Sequence, residues 1–189
     1  MTKGRLIVLS APSGAGKDTV INALLKLRPE LYLSVSATTR APREGEEDGV
    51  SYFFISREAF DEMIKKGEFL EYAEYVGEYY GTPVKPIYKH IGDGKDVIIE
   101  IEVQGAKQVM QLELDALTIF IVPPSMEELE RRLRGRGTDT EEMLIARLER
   151  ARMELKEKDC YAHVVVNDDV TRTAGEILSI IDNSRKVVV

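Results

Sequence analysis

A glycine-rich segment near the start of the chain, Ala11–Asp18 with the sequence APSGAGKD, could bind phosphate groups. Gly14 and Gly16 allow the backbone to adopt positive φ angles, so that successive N–H groups can point inward at an anion. An apolar run precedes the segment and residues with helical spacing follow it, which is the strand–loop–helix order of a phosphate-binding loop. Lys17 can reach the β- and γ-phosphates of a nucleoside triphosphate, and the positive end of the following helix adds to the attraction.

Two positions of this loop depart from the usual pattern: Ala11 replaces its first glycine, and Asp18 replaces the Ser or Thr after the lysine. We expect the first change to be mild if Ala11 needs only a negative φ. The second matters more, because that hydroxyl normally helps to hold Mg²⁺. A carboxylate is itself a hard oxygen ligand, so we expect Asp18 to serve the metal. Thr19 is no simple substitute, since adjacent helix positions point about 100° apart.

A second group of residues could bind another oxyanion. Arg40 and Arg43 lie beside Ser and Thr hydroxyls, with Pro42 stiffening the turn between them. Arginine forks suit phosphate oxygens. Aromatic and acidic segments follow, one of them with Glu71. Taken singly these signals are weak, because aromatic stripes are more often core than ligand site and a lone glutamate or arginine is usually a surface charge.

The third group is the basic segment 131–137, RRLRGRG, which is followed by Arg147. Phosphoryl transfer needs positive charge on the transferring group, and arginines can supply it. The alternative is a solvated helical face, which we favour for Arg131 and Arg134. For Arg136 we favour the functional interpretation, and the two glycines of the segment allow a hinge.

Apolar, β-branched runs alternate along the chain with segments of helical spacing. Buried strands are predicted at Arg5–Ser10, Asp96–Val103, Leu117–Val122 and His163–Asn167. Helices are predicted at Thr19–Leu27, Arg57–Gly67, Pro83–Gly92, Gly105–Gln111, Ser125–Arg134, Thr140–Asp159 and Thr173–Ser184. The alternation predicts an α/β fold with a parallel sheet and helices on both faces. Residues near 34–84 and 125–159 break the alternation, and we expect both to extend toward the ligand-binding side of the sheet.

Composition limits the classes of function. The 189 residues carry a net charge of −7, which disfavours binding to a nucleic-acid polymer but still allows a local basic cluster to bind a small anion. A single cysteine excludes an intrachain disulfide. No apolar run is long enough for a signal peptide or a membrane span. Together with the single cysteine, this pattern indicates the cytoplasm. His90 and His163 have no partner at metal-ligand spacing, and we interpret both as structural.

Together the motifs resemble the guanylate kinases, which make ADP and GDP from ATP and GMP. The shared motifs are, in order, SAPSGAGK, SxTTRxPRxGE, YFF, FLEYAE, YYGT, VQGA, RRLRGRGTDTEE and VNDD. The resemblance covers residues 4–184 and implies a P-loop NTPase-type fold. It also implies a core (4–33, 85–124 and 160–189), a GMP-binding subdomain at about 34–84 and a helical lid at about 125–159.

The resemblance implies a GMP site in the first half of the chain. The phosphate of GMP would be bound by Arg40, Arg43, Tyr52 and Tyr80, with Ser36 and Glu46 lining the same pocket. Glu71 would accept hydrogen bonds from the N1–H and 2-amino groups of guanine, and Thr82 would bond O6. Adenine presents the opposite pattern, so a buried carboxylate facing adenine N1 would lack a donor, and such a mismatch discriminates strongly.

The family usually has two aspartates where this chain has Glu100 and Glu102. One acid would approach the guanine amine, and the other the metal or its waters. On a strand Val97–Val103, alternation would place both side chains on one face. The extra methylene moves each carboxylate by about one bond length.

For the phosphate donor, the resemblance implies an ATP site made of the loop, part of the lid and the end of the last strand. Its residues are Ala11, Pro12, Ser13, Gly14, Ala15, Gly16, Lys17, Asp18, Thr19, Arg132, Arg136 and Asn167. A plain turn is the alternative for the segment that begins at Asn167. Catalytic charge would come from Lys17, Arg40, Arg136 and Arg147, with Mg²⁺ as the cofactor and Asp18 as its candidate ligand. The expected partners are ATP and GMP, and the chain would act as a monomer or a homo-oligomer.

Two other interpretations remain open. Ribose-1,5-bisphosphate kinases are similar and have an Asp after the loop lysine, but their acceptor carries no base, so Glu71 and Thr82 would lack a purpose. Guanylate-kinase-like domains of scaffold proteins bind peptides and have no working P-loop, whereas Gly14, Gly16 and Lys17 are present here. We therefore predict a kinase that phosphorylates GMP in purine nucleotide metabolism.

Overall fold

The computed structural model describes residues 3–75, 77–135, 137 and 140–184. Contacts between residues group the chain into two compact units. The first unit comprises Met1–Ile7 and Leu31–Ala116, and the second comprises Val8–Glu30 and Leu117–Val189. Within the described part of the chain, no helix has the length and apolar character needed to cross a membrane.

Strands and helices alternate along most of the chain, as the sequence predicts. The strands are β1 (Leu6–Ser10), β2 (Tyr32–Leu33), β3 (Ala37–Thr38), β4 (Phe53–Phe54), β5 (Phe69–Tyr75), β6 (Glu78–Pro83), β7 (Val97–Glu100), β8 (Ala116–Val122) and β9 (His163–Val166). The helices are α1 (Lys17–Leu27), α2 (Arg57–Lys65), α3 (Val84–Gly92), α4 (Val103–Gln111), α5 (Met126–Gly135), α6 (Glu141–Leu155) and α7 (Val170–Asn183), with a 3₁₀ turn at Lys158–Cys160. One sheet has the order β2-β7-β1-β8-β9, and its pairs β2–β7 and β8–β9 are parallel.

The first unit contains a second sheet in the order β4-β3-β6-β5. Strands β5 and β6 form an antiparallel hairpin that turns at Gly77, whose φ of 80° suits glycine. A register irregularity between Phe69 and Glu71 interrupts the pairing. Because a bulge breaks the alternation of faces, Leu70 and Glu71 are both buried although they are neighbours.

The second unit contains the helices α1, α5, α6 and α7. Helices α1 and α7 pack together, and α5 and α6 pack through a buried apolar cluster. The members of that cluster are Leu129, Leu133, Leu144, Leu148 and Ala151. Helix α5 begins after Ser125, whose hydroxyl accepts the Glu128 amide at 3.2 Å and so caps the helix.

Several predicted boundaries were wrong. The strand expected at Asp96–Val103 ends at Glu100, because helix α4 already begins at Val103 and Glu102 is its N-cap. The helix expected to run to Asp159 ends at Leu155. Strand β2 was missed: it has only two residues, too few to show a period of two.

Candidate functional site

The phosphate loop has the backbone that its glycines predict. Gly14 and Gly16 adopt φ angles of 88° and 89°, and Gly16 caps helix α1 in the left-handed region. The Ala15 amide donates to the Pro12 carbonyl at 3.0 Å, which closes the turn. Among the described residues other than glycine only Glu113 has a positive φ, so Ala11 meets the condition under which its replacement of glycine is mild.

Two side chains fix the loop through the carbonyl oxygen of Ala15. Arg132 donates to it from Nη1 at 3.2 Å, and Asn167 donates from Nδ2 at 2.7 Å. Arg132 also donates to the Asn167 carbonyl at 2.9 Å and to Glu128 at 2.7 Å. Both residues were predicted to bind ATP. In the structure, each one donates a hydrogen bond to the main chain of the loop.

A third anchor of the loop, Glu154, was not expected from the sequence. Its carboxylate accepts the Ser13 amide at 3.3 Å and the Arg150 Nε–H at 2.8 Å, and the residue is only 8% exposed. The available signal was spacing, because the buried face of α6 runs through Leu144, Leu148 and Ala151 and reaches Glu154 three residues later. An acid that continues an apolar stripe must find a partner.

The residues expected on the metal side of the loop lie in the first turn of α1. Lys17 is the first residue of this helix, and both Asp18 and Thr19 are exposed. In the part of the chain that the structure describes, no group of three or more His, Cys, Asp or Glu side chains could hold a metal ion. This donor set fits Mg²⁺ only if phosphate oxygens and water supply most of the ligands, as they usually do for this ion.

In the first unit, Arg40 and Glu46 form a two-pronged ion pair. The two guanidinium nitrogens of Arg40 donate to the two carboxylate oxygens of Glu46 at 2.9 and 2.8 Å. Glu46 also accepts the Arg43 amide at 2.7 Å. Hydrogen bonds from Arg40 and then from this amide lower the pKa of Glu46, and the bond to Glu46 raises the pKa of Arg40. The pair holds a charged fork in one orientation.

Aromatic rings surround this arginine. The Arg40 guanidinium carbon lies 5.5 Å from the Tyr52 ring centre and 5.8 Å from that of Phe54. Tyr52 and Tyr80 pack edge to face with centres 6.0 Å apart. Burial raises the pKa of Tyr52, and the charge of Glu100 adds to the effect. The structure thus brings together Arg40, Glu46, Tyr52 and Tyr80.

Glu71 and Thr82 form a cross-strand pair on β5 and β6. They are direct partners in the register of the hairpin, and the Thr82 hydroxyl donates to Glu71 Oε1 at 2.5 Å. They are 7% and 1% exposed. A buried carboxylate beside a hydroxyl can recognise a ligand that offers both hydrogen-bond donors and a hydrogen-bond acceptor.

The other residues predicted for the GMP site in this unit include Glu100, Glu102, Ser36 and Arg43. Glu100 ends β7 and is half-buried, whereas Glu102 is exposed at the N-cap of α4. The expectation that both acids project from one strand was therefore wrong. Ser36 is half-buried and accepts the Phe53 amide through its carbonyl, and Arg43 is exposed.

The basic segment and helix α6 contain the predicted lid arginines. Arg131 pairs with Glu128, and Arg134 pairs with Glu130 and Glu141, in agreement with the solvated role that we favoured for both. Arg147 is half-buried on α6. Arg136 lies outside the described residues.

Comparison with known proteins decides the family. The family model described as Guanylate kinase matches residues 3–184. The chain belongs to the guanylate kinase family. A guanylate kinase of Trichormus variabilis is 54% identical over 168 residues, which cover 89% of this chain and 84% of that protein. A guanylate kinase of Clostridioides difficile is 50% identical, with 98% and 91% covered.

The fold agrees with a solved member of the guanylate kinase family. The crystal structure of guanylate kinase from Anaplasma phagocytophilum superimposes with a TM-score of 0.78 at 38% identity, covering 97% of this chain and 87% of that one. The predicted P-loop NTPase-type α/β fold is thereby confirmed.

Proposed function

We propose that this chain transfers the γ-phosphate of ATP to GMP, giving ADP and GDP. The observation that carries the proposal is the buried Glu71–Thr82 pair, in a chain of the guanylate kinase family that also has a formed phosphate loop. In the reaction a phosphate oxygen of GMP forms a bond to the γ-phosphorus of ATP. The bond from that phosphorus to the β,γ-bridging oxygen breaks, and ADP leaves with the electron pair.

The donor would be bound by Ala11–Thr19. Main-chain amides around Gly14 and Gly16, the N-terminus of α1 and the ammonium of Lys17 all present positive charge to the β- and γ-phosphates. The braces from Arg132, Asn167 and Glu154 keep this main chain in place, so that little reorganisation is needed when ATP binds.

The acceptor phosphate would be bound by Arg40, Arg43, Tyr52 and Tyr80, with Ser36 nearby. Glu46 occupies one edge of the Arg40 fork and thereby fixes its direction. A tyrosine hydroxyl is protonated at neutral pH, so Tyr52 would donate a hydrogen bond to a phosphate oxygen.

Guanine recognition would follow from an exchange of hydrogen bonds at Glu71. The carboxylate now accepts from Thr82; it would accept instead from the N1–H and 2-amino groups of guanine. The Thr82 hydroxyl, once released, would donate to O6. Each polar group keeps a partner only when the base is guanine, and this is the physical basis of the selectivity.

Mg²⁺ is the cofactor we propose, bound to the phosphates of ATP and to water, with Asp18 contributing a carboxylate oxygen directly or through water. When bound, the ion offsets negative charge on the transferring phosphate. Of Glu100 and Glu102, one would approach the guanine amine and the other the metal or its waters. We also propose a division into a core, a GMP-binding subdomain (34–84) and a lid (125–159). Arg136 and Arg147 of the lid would supply positive charge, and closure of the lid would exclude water. The cytoplasm is the proposed location.

A panel of acceptors tests the proposal. Purified chain is mixed with ATP and Mg²⁺ and with GMP, AMP, CMP, UMP or ribose 1,5-bisphosphate, and ADP release is followed. We expect release with GMP at least about 100-fold faster than with any other nucleotide. Release that prefers ribose 1,5-bisphosphate would favour the sugar-phosphate kinase instead. The absence of GMP-dependent release would contradict the proposed function and favour a binding module.

A further inference from the structure

Gly105, in the first turn of α4, lies against the carboxylate of Glu71. A Cβ atom built on Gly105 would lie 2.9 Å from Glu71 Cδ and 3.4 Å from Cγ, and it would come closer still to Oε2. Gly105 is buried, and Glu71 is 7% exposed. The space that any other amino acid would fill at this position is therefore occupied by the Glu71 carboxylate.

A larger residue at position 105 would clash with the side chain of Glu71. Within 4 Å, the three nearest heavy atoms that this Cβ would meet all belong to the Glu71 side chain. A carboxylate is the flexible end of its side chain, so it can move aside at small cost to the fold. It would then leave the position from which it bonds Thr82.

Helix stability does not explain a glycine here. Glycine inside a helix is about 1 kcal/mol less favourable than alanine. The φ of Gly105 does not lie in the left-handed region, so the backbone conformation does not require glycine either. The first turn of a helix does favour a nearby carboxylate, because its amides point outward and its dipole is positive there.

We propose that Gly105 is a specificity-determining residue for the acceptor base. It leaves room for the Glu71 carboxylate against the first turn of α4, and so fixes the direction in which that carboxylate faces guanine. Gly105 is a positioning residue that acts through Glu71. The inference rests on the proposed function, because it assumes that Glu71 recognises the base.

The matched comparison is Gly105→Ala against Gly175→Ala. Gly175 lies in helix α7, and a Cβ there would meet nothing within 4 Å. For Gly105→Ala we expect the KM for GMP to rise about 10-fold or more and the GMP-to-AMP selectivity to fall, since a buried polar partner is misplaced. The KM for ATP should not rise, and the melting temperature should not fall. Gly175→Ala should leave both KM values unchanged.

A double-variant cycle tests whether Gly105 acts through the carboxylate. Glu71→Asp shortens the side chain and moves its oxygens away from the space that the new methyl group would take, so Gly105→Ala should add little further loss to Glu71→Asp. Additive losses in the cycle would overturn the inference, as would kinetics of Gly105→Ala that match Gly175→Ala, or a general loss of stability with both KM values raised. These outcomes are separate from failure of the proposed function, which would show as absence of GMP-dependent ADP release in the unchanged chain.

Discussion

Three glutamates of this chain have different roles because their surroundings differ. Glu71 is buried and accepts a hydrogen bond from the Thr82 hydroxyl, and we propose that it accepts hydrogen bonds from the base. Glu46 accepts hydrogen bonds from Arg40 and from the Arg43 amide, so it orients a cation. Glu154 accepts a loop amide. Residue type alone does not distinguish these roles; the donors around each carboxylate do.

At the residue scale, Glu71→Gln tests the recognition of the base. The amide presents a donor where guanine also presents donors, which leaves polar groups unpaired at a cost of about 2–3 kcal/mol. We expect kcat/KM for GMP to fall roughly 100-fold while the KM for ATP is unchanged. Steady-state assays that vary each substrate check this, and an equal loss for both substrates would contradict it.

Asp18→Ala tests the metal side of the loop. If the carboxylate helps to hold Mg²⁺, its removal should raise the Mg²⁺ concentration needed for half-maximal rate about 10-fold. Asn22→Ala, a change at an exposed residue of the same helix, is the control. A Mg²⁺ titration curve that is the same for Asp18→Ala and the native chain would rule out this role.

At the scale of elements, strand register and helix contacts position the site. The β5–β6 register pairs Glu71 with Thr82, and the bulge beside Glu71 turns its side chain inward. Helix α4 supplies Gly105 behind the carboxylate, and α6 supplies Glu154 to the phosphate loop. Each functional pair thus depends on two elements being held in place by packing.

Glu154→Ala tests the link between α6 and the loop. The Ser13 amide would lose its acceptor, at a cost of about 2 kcal/mol, so kcat/KM for ATP should fall roughly 30-fold while the KM for GMP changes little. Glu154→Gln keeps a carbonyl oxygen and should recover part of the loss. Glu149→Ala, an exposed change on the same helix, is the control. Equal effects on both substrates would contradict a local role.

The Glu128 carboxylate predicts a pH dependence of stability. Hydrogen bonds from Arg131 and Arg132 lower the pKa of Glu128 from 4.5 to about 2. Its stabilising contribution is therefore complete above the unfolded pKa and is lost as pH falls toward the folded one. The melting temperature of Glu128→Gln should lie below that of the native chain near about pH 7, and the difference should shrink by about pH 3. A difference that grows on acidification would contradict this.

Much of the fold could be predicted because its signals are local. The phosphate loop needs only neighbouring residues, and the apolar runs gave the main strands. The end of β7 could not be predicted, because Ile101 and Val103 continue the apolar pattern of the strand into helix α4. The Glu154–Ser13 contact joins residues 141 apart, and only the folded chain brings them together.

At the scale of the whole molecule, membership of the guanylate kinase family associates the chain with one reaction, the phosphorylation of GMP by ATP. The residues proposed to bind ATP belong to one compact unit, and those proposed to bind GMP belong to the other. Each unit separately preorganises its own charges through internal hydrogen bonds, such as Arg132 with Ala15 and Arg40 with Glu46. Selectivity for the base and affinity for ATP should therefore respond to different substitutions.

The most direct test follows the phosphorus atom itself. ATP labelled at the γ-phosphorus is incubated with the chain, Mg²⁺ and an equimolar mixture of GMP and AMP, and the products are separated. We predict that the label appears in the β-phosphate of GDP and that AMP gains none beyond background. Label in inorganic phosphate alone, or equal label in ADP formed from AMP, would contradict the account.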